Sequence, residues 1–290
     1  MKFDKNTKIL IVGLGLIGGS YAKALSDEGY FVGAIDKKKS SVEYALKNGL
    51  IRVGETSVKK DFVKDFDLIV FALYPHDFIN WIKEYQSSIK SGALITDVTG
   101  VKSFVVENVQ KILRGDLEFV GAHPMAGKEV SGVENADSKI FVGANYIVTP
   151  TKRNTDENVQ AVQDLGRALG FERISSLSPE EHDETVGFLS HLTHCIAVSL
   201  MVSKKSHHLA EYTGDSFRDL TRIAKINDEM WSELFLANKD ELLKQMDLFE
   251  EKFNQLKEDI KNDNREKIRE TLRESTARRK VFDKDAKETK

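Results

Sequence analysis

The sequence predicts an α/β domain built on a parallel sheet, followed by an all-α domain. Three observations carry this. Apolar runs of strand length alternate with helix-like stretches through the first half, and a glycine-rich turn joins the first run to the first helix. From about Pro179 strand-like runs vanish, Gly becomes rare, and long helical patterns continue to the end. The boundary therefore falls between residues 1–178 and 179–290.

Taken in order, Lys8–Val12, Phe31–Ile35, Asp67–Leu73, Ala93–Val98, Leu117–Ala122 and Asn145–Thr149 read as buried strands. Between them lie helices such as Pro75–Lys90, with Gly92 just beyond as a stop signal. In the second domain, Asp240–Asn262 carries Leu242, Leu243, Met246, Phe249, Phe253 and Leu256 at helical spacing, so one of its faces is apolar. Asn264–Lys290 is highly charged and reads as a solvated helix with a frayed end.

Composition removes several classes of function. A chain of 290 residues with 40% hydrophobic and 31% charged residues can bury proper cores. A net charge of -3 gives no electrostatic footprint for nucleic acid. No apolar run is expected to reach bilayer length, and the N-terminus is expected to enter a strand, so no membrane partner is expected. The single cysteine, Cys195, suits a reducing compartment, and a cytoplasmic location is expected.

The first strand runs straight into Gly13-Leu14-Gly15-Leu16-Ile17-Gly18, and a helix follows. Gly13 permits a tight turn, Gly15 lets a pyrophosphate approach the backbone, and Gly18 lets helix and strand pack closely. The helix start at Leu16 and Ile17 supplies N–H donors and the positive end of a dipole. Phe31–Ile35 ends in Asp36 at the distance expected of a ribose-binding acid. The first domain is thus of the Rossmann type. Asp36 should accept from both ribose hydroxyls and repel a 2′-phosphate, favouring NAD over NADP, although Lys37, Lys38 and Lys39 could neutralise such a phosphate.

Ligands of open α/β sheets lie beyond the carboxyl ends of the strands. Two such ends carry polar residues with few packing duties, Asp97–Lys102 and His123–Gly127. A histidine there can serve as a general base near neutral pH, or can simply be satisfied by the backbone.

Several segments resemble the prephenate dehydrogenase family: Gly13–Ser20, Asp97–Lys102, Gly121–Gly132, Ser190–His194 and Thr221–Ala224, with Trp231 nine residues after Arg222. The resemblance spans roughly residues 7 to 260. It implies an oxidoreductase of tyrosine biosynthesis that uses NAD to convert prephenate to 4-hydroxyphenylpyruvate. His123 would be the base for the ring hydroxyl, Arg222 the partner of a substrate carboxylate, and Trp231 an apolar wall. Ser190 and His194 would lie at the pocket, and Glu129 and Asp219 would make polar contacts at its entrance or surface salt bridges. The family usually places a serine where this chain has Gly100, so Thr99 is the candidate to supply a hydroxyl. The helical domain is expected to pair two copies into a homodimer.

Other readings remain open. Arogenate differs from prephenate by an amino group, and an arogenate dehydrogenase would share most of these residues. A hydroxyacid or imine dehydrogenase has the same two-domain plan, and an inactive NAD-sensing protein would keep the glycine turn. His191 and His194 share a helix face, but no acidic third ligand recurs at metal spacing, so no metal is expected. Cys195 reads as an inert thiol.

Overall fold

The computed structural model describes residues 1–205 and 208–282. The chain forms two compact units, Met1–Lys239 and a second from Asp240 onward. The first unit therefore continues well past Pro179, taking in the helices that carry the site.

Its main sheet is parallel, in the order β3-β2-β1-β4-β5-β6. The strands are β1 (Lys8–Val12), β2 (Phe31–Ile35), β3 (Val53–Glu55), β4 (Leu68–Phe71), β5 (Leu94–Asp97) and β6 (Glu118–Phe119). Helices α1 (Leu16–Asp27), α2 (Lys39–Lys47), α3 (Lys60–Val63), α4 (Pro75–Tyr85) and α5 (Ser103–Ile112) connect them. Side-chain alternation divides the core between the two faces: Ile9 and Ile11 of β1 enter one cluster, Leu10 and Val12 the other. Each layer of helices covers one of these clusters, which is why the strands read as unbroken apolar runs.

A second sheet has the order β7-β8-β9, from β7 (Gly121–Pro124), β8 (Asn145–Thr149) and β9 (Arg173–Ser176), with α6 (Asp156–Ala168) between the last two. Here the structure departs from the expected single sheet. Leu117–Ala122 is divided: β6 closes the parallel sheet, and β7 turns away to pair antiparallel with β8. Burial continues across the break, so the apolar run does not mark where the chain changes sheets. The short strands β3 and β9 carry no apolar run and escaped the reading for that reason.

Three helical stretches follow one another without a break: α7 (Pro179–Val186), a π-helical turn at Gly187–Leu192, and α8 (Thr193–Val202). Ser178 and Glu181 start the first with a reciprocal capping box. Together, Pro179–Val202 is long and apolar enough to cross a membrane by length and composition, an 18-residue window in it reaching a mean hydropathy of 1.5. This corrects the expectation that no run reaches that length; the histidines, serines and threonines in it disguise the run. Its polar residues are used within the first unit, as described below. The short α9 (Asp215–Thr221) and α10 (Asp228–Ala237, started by the Asn227 side chain) complete this unit.

From Lys239 the chain forms α11 (Lys239–Lys261) and α12 (Arg265–Arg279). On α11 the predicted apolar face exists, and Leu243, Met246, Phe249 and Phe253 on it are exposed.

Candidate active site

The glycine turn is built as its spacing requires. Gly13 has φ +97°, and a Cβ there would lie 2.4 Å from the Ala72 carbonyl. Gly15 caps α1 with no side-chain partner, and the space where its Cβ would stand is empty within 4 Å. The first N–H groups of α1 at Leu16 and Ile17 are thus open to a diphosphate, with no acidic residue in the first turn to oppose it. Asp36 ends β2 half-buried, its carboxylate accepting from the Leu14 N–H at 2.6 Å and the Lys38 N–H at 2.7 Å. These two bonds hold the acid at the edge of the turn, with lone pairs left for ribose hydroxyls. The residues fit a dinucleotide.

His123 stands near the end of β7, half-buried. Its Nδ1 lies 2.8 Å from Nε2 of His182, and Nδ1 of His182 lies 2.8 Å from Oδ1 of Asp183. Asp183 also accepts from the backbone N–H groups of Lys102 at 2.7 Å and Ser103 at 2.8 Å. A carboxylate on α7 therefore closes the N-terminus of α5, tying the helical segment to the sheet at the site.

Beneath His123 lies a buried ion pair. The Lys102 ammonium donates to Asp97 at 2.6 Å, and both side chains are fully buried. Asp97 further accepts from the Ala122 N–H at 3.1 Å, the Thr99 N–H at 3.0 Å and the Thr99 hydroxyl. The Thr99 hydroxyl also accepts from Lys102 at 3.0 Å. Thr99, expected to offer its hydroxyl to a substrate, has turned it inward and is buried. Sequence offset places a residue on the chain but does not say which way its side chain turns. At Gly100 a Cβ would meet Leu234 at 3.5 Å and the His123 ring at 3.8 Å, ordinary contact distances.

The π-helical turn brings Ser190, His191 and His194 into one region, as such turns often do at functional sites. His194 stacks on Trp231, ring centroids 3.7 Å apart, and its Nδ1 donates to the Ser190 carbonyl at 2.8 Å. His191 is buried edge-on to Trp231 and Phe235. Asn238 donates to it at 3.3 Å and to the Asp183 carbonyl at 2.9 Å. A continuous row of contacts thus runs from His123 through His182, Asp183, Asn238 and His191 to Trp231 and His194. At its rim, exposed Arg222 pairs with Glu129, close enough for both charges to bear on His194. Asp219 is exposed and has no ion-pair partner among the described residues. Cys195 is half-buried, and desolvation pushes its thiol up, which keeps it protonated.

Burial sets the charge state of the cluster. Desolvation, then the neighbouring His182, Lys102 and His191, hold His123 well below the usual histidine pKa. Desolvation likewise lowers His182, against the pull of Asp183, and brings His191 down from 6.5 to about 4. All three rings are neutral at pH 7. Their folded-state pKa values lie below the unfolded ones, so stability is full above pH 6.5 and declines as pH falls towards 4. His191 alone should remove about 3 kcal/mol across that window. Urea unfolding at pH 7 and at about pH 4.5 measures it; a flat profile would contradict the assigned burial.

His182, Asp183 and Asn238 were missed by sequence reasoning, and Asp97 and Lys102 were noticed without a role. The adjacent His-Asp pair at the head of a helix was the available signal.

The chain resembles known proteins over most of its length. Residues 21–173 match the model described as prephenate dehydrogenase, nucleotide-binding domain, and residues 178–274 that described as prephenate dehydrogenase, dimerization domain. The chain is 34% identical over 249 residues to a prephenate dehydrogenase of Bacillus subtilis, covering 82% of this chain and 66% of that protein. It is 32% identical over 257 residues to the prephenate dehydrogenase of Lactococcus lactis, covering 86% of this chain and 70% of that one. Thus it spans about two thirds of the length of these curated relatives. A crystal structure of prephenate dehydrogenase from A. aeolicus, in complex with hydroxyphenyl propionate and NAD+, superposes with a TM-score of 0.87 at 34% identity, covering 96% of this chain and 98% of that one. The chain belongs to the prephenate dehydrogenase family and carries its NAD-dependent dehydrogenase plan.

Proposed function

We propose that this chain oxidatively decarboxylates prephenate to 4-hydroxyphenylpyruvate, with His123 as the base. The observation that carries the reading is a neutral, half-buried imidazole at a strand end, beyond which lie an apolar wall and an exposed guanidinium. Bound NAD would supply the hydride acceptor. The imidazole takes the proton of the ring hydroxyl while the C–H bond on the same carbon gives up its hydride; the electrons that leave the opposite carbon–carboxyl bond, as carbon dioxide departs, make the ring aromatic. Trp231 and His194 wall the ring and side chain, with Ser190 at their edge. Arg222 exchanges Glu129 for a substrate carboxylate, because a guanidinium binds either bidentately. Thr99 holds Asp97 and Lys102 in register behind His123 and does not touch substrate.

The test is NADH formation with prephenate and with arogenate, each with NAD and with NADP. Turnover of prephenate with NAD is expected, with weaker use of NADP because Asp36 opposes a 2′-phosphate. Turnover of arogenate alone would move the assignment to that substrate, and turnover of neither would remove it. Arg222→Ala is expected to raise KM about 10- to 100-fold with a smaller change in kcat; an unchanged KM would exclude Arg222 from substrate binding.

Residues 179–290 are the substrate-binding and dimerisation domain in this reading, and 1–178 the NAD-binding domain. The exposed apolar face of α11 and the open apolar residues Met201 and Val202 of α8 support a homodimer. A monomeric mass by light scattering at working concentration would contradict it.

A further inference from the structure

We propose that His182, backed by Asp183, is a positioning residue that holds His123 in the tautomer whose Nε2 carries the lone pair. The inference rests on the reading of His123 as the base and follows from hydrogen-bond bookkeeping. The Asp183 carboxylate can only accept, so the proton between it and His182 sits on His182 Nδ1. A neutral imidazole with Nδ1–H has its lone pair on Nε2. That nitrogen faces His123 Nδ1 at 2.8 Å, so the His123 ring donates from Nδ1 and keeps Nε2 free. Asp183 cannot swing to release the arrangement, because the Lys102 and Ser103 N–H groups occupy both its oxygens.

Around the pair, every element agrees. Lys102 on the segment before α5 disfavours a second positive charge, its own charge being matched by Asp97. His191 of the π-helical turn is neutral at pH 7 and also disfavours protonation of His123. From α10 the buried neighbour over Gly100 is Leu234, which has no charge. On the other edge of the His123 ring no polar group among the described residues orients it: position 100 is glycine, and the Thr99 hydroxyl is bound to Asp97. His182 is the one hydrogen-bonding partner of the His123 ring among the described residues. Orientation of the base therefore comes from the Nδ1 side.

Long-range proton–nitrogen NMR on the labelled full-length protein reads the tautomer directly. The wild-type His123 is expected with Nδ1 protonated and Nε2 bare. His182→Phe removes the acceptor, and a mixture of tautomers is expected, with kcat lowered about 10- to 100-fold and NAD affinity unchanged. That loss is below the roughly 10⁴-fold seen when a catalytic histidine is locked in the wrong tautomer. His182→Gln keeps an acceptor in Oε1, so it should restore the tautomer and return kcat to within about tenfold of wild type. The proposal is overturned if the wild-type ring is protonated on Nε2, if His182→Phe retains wild-type kcat, or if the Phe and Gln variants are equally impaired. The wild-type spectrum decides even if both variants fail to fold. It also decides if the enzyme turns over neither prephenate nor arogenate, a result that would remove the function and leave the tautomer standing.

Discussion

Replacing His123 by Asn is expected to lower kcat by about 10²–10⁴ while leaving NAD affinity within a factor of two or so of wild type. The substitution is chosen for what it keeps. An asparagine amide can donate to His182 much as the imidazole Nδ1–H does, so the partner histidine stays satisfied and little destabilisation should accompany the loss of the base. What disappears is the second ring nitrogen. The acid limb of the wild-type profile should lie below pH 6.5, because burial and neighbouring Lys102 hold His123 neutral to lower pH than a free histidine. Activity should therefore rise with pH below neutrality and stay flat above it. In the Asn variant that limb should vanish from the residual rate. Wild-type turnover in this variant would end the assignment.

Replacing Asp97 by Asn is expected to cost about 3–5 kcal/mol of folding stability. The side chain is fully buried and accepts from the Lys102 ammonium, the Thr99 hydroxyl and two backbone N–H groups. The amide has one acceptor oxygen for those four donors and adds two donors of its own. The Lys102 ammonium would be left in the interior without its counter-charge, where desolvation already lowers its pKa. Lys102 should then lose its proton rather than remain charged. A second change, Lys102→Met, removes the stranded group, and the double variant should regain a large part of the loss. Equilibrium urea unfolding of the two single variants and the double one gives the coupling. A single-variant effect below about 0.5 kcal/mol, the range of ordinary surface changes, would mean the pair is not the buried unit described.

Legibility in the sequence followed the range of the interactions. The glycine turn and Asp36 were readable because strand, turn, helix and acid lie within one short βαβ span, each constraining the next. His123 was readable at a strand end, although the strand belongs to a second sheet that its apolar run did not reveal. Interactions that join distant segments were not readable. Asp183 stands eighty residues after Ser103, whose N–H it caps, and nothing local marks it as a helix cap for another element. Thr99 illustrates the converse: its position was right beside the site, but the inward rotamer is dictated by a carboxylate two residues earlier and an ammonium three later. His191 and His194 were read as sharing one helix face, and both rings do meet Trp231, though through a π-helical turn that the sequence did not reveal.

The cap that Asp183 places on α5 has a mechanical consequence. It pins the helical segment to the sheet right beside the imidazole, while the Arg222–Glu129 contact at the far end of the row is exposed and exchangeable. Any breathing of that segment is expected to pivot on the pinned end, with displacement growing towards the guanidinium. The imidazole beside the pin is then expected to be the part of the row that moves least.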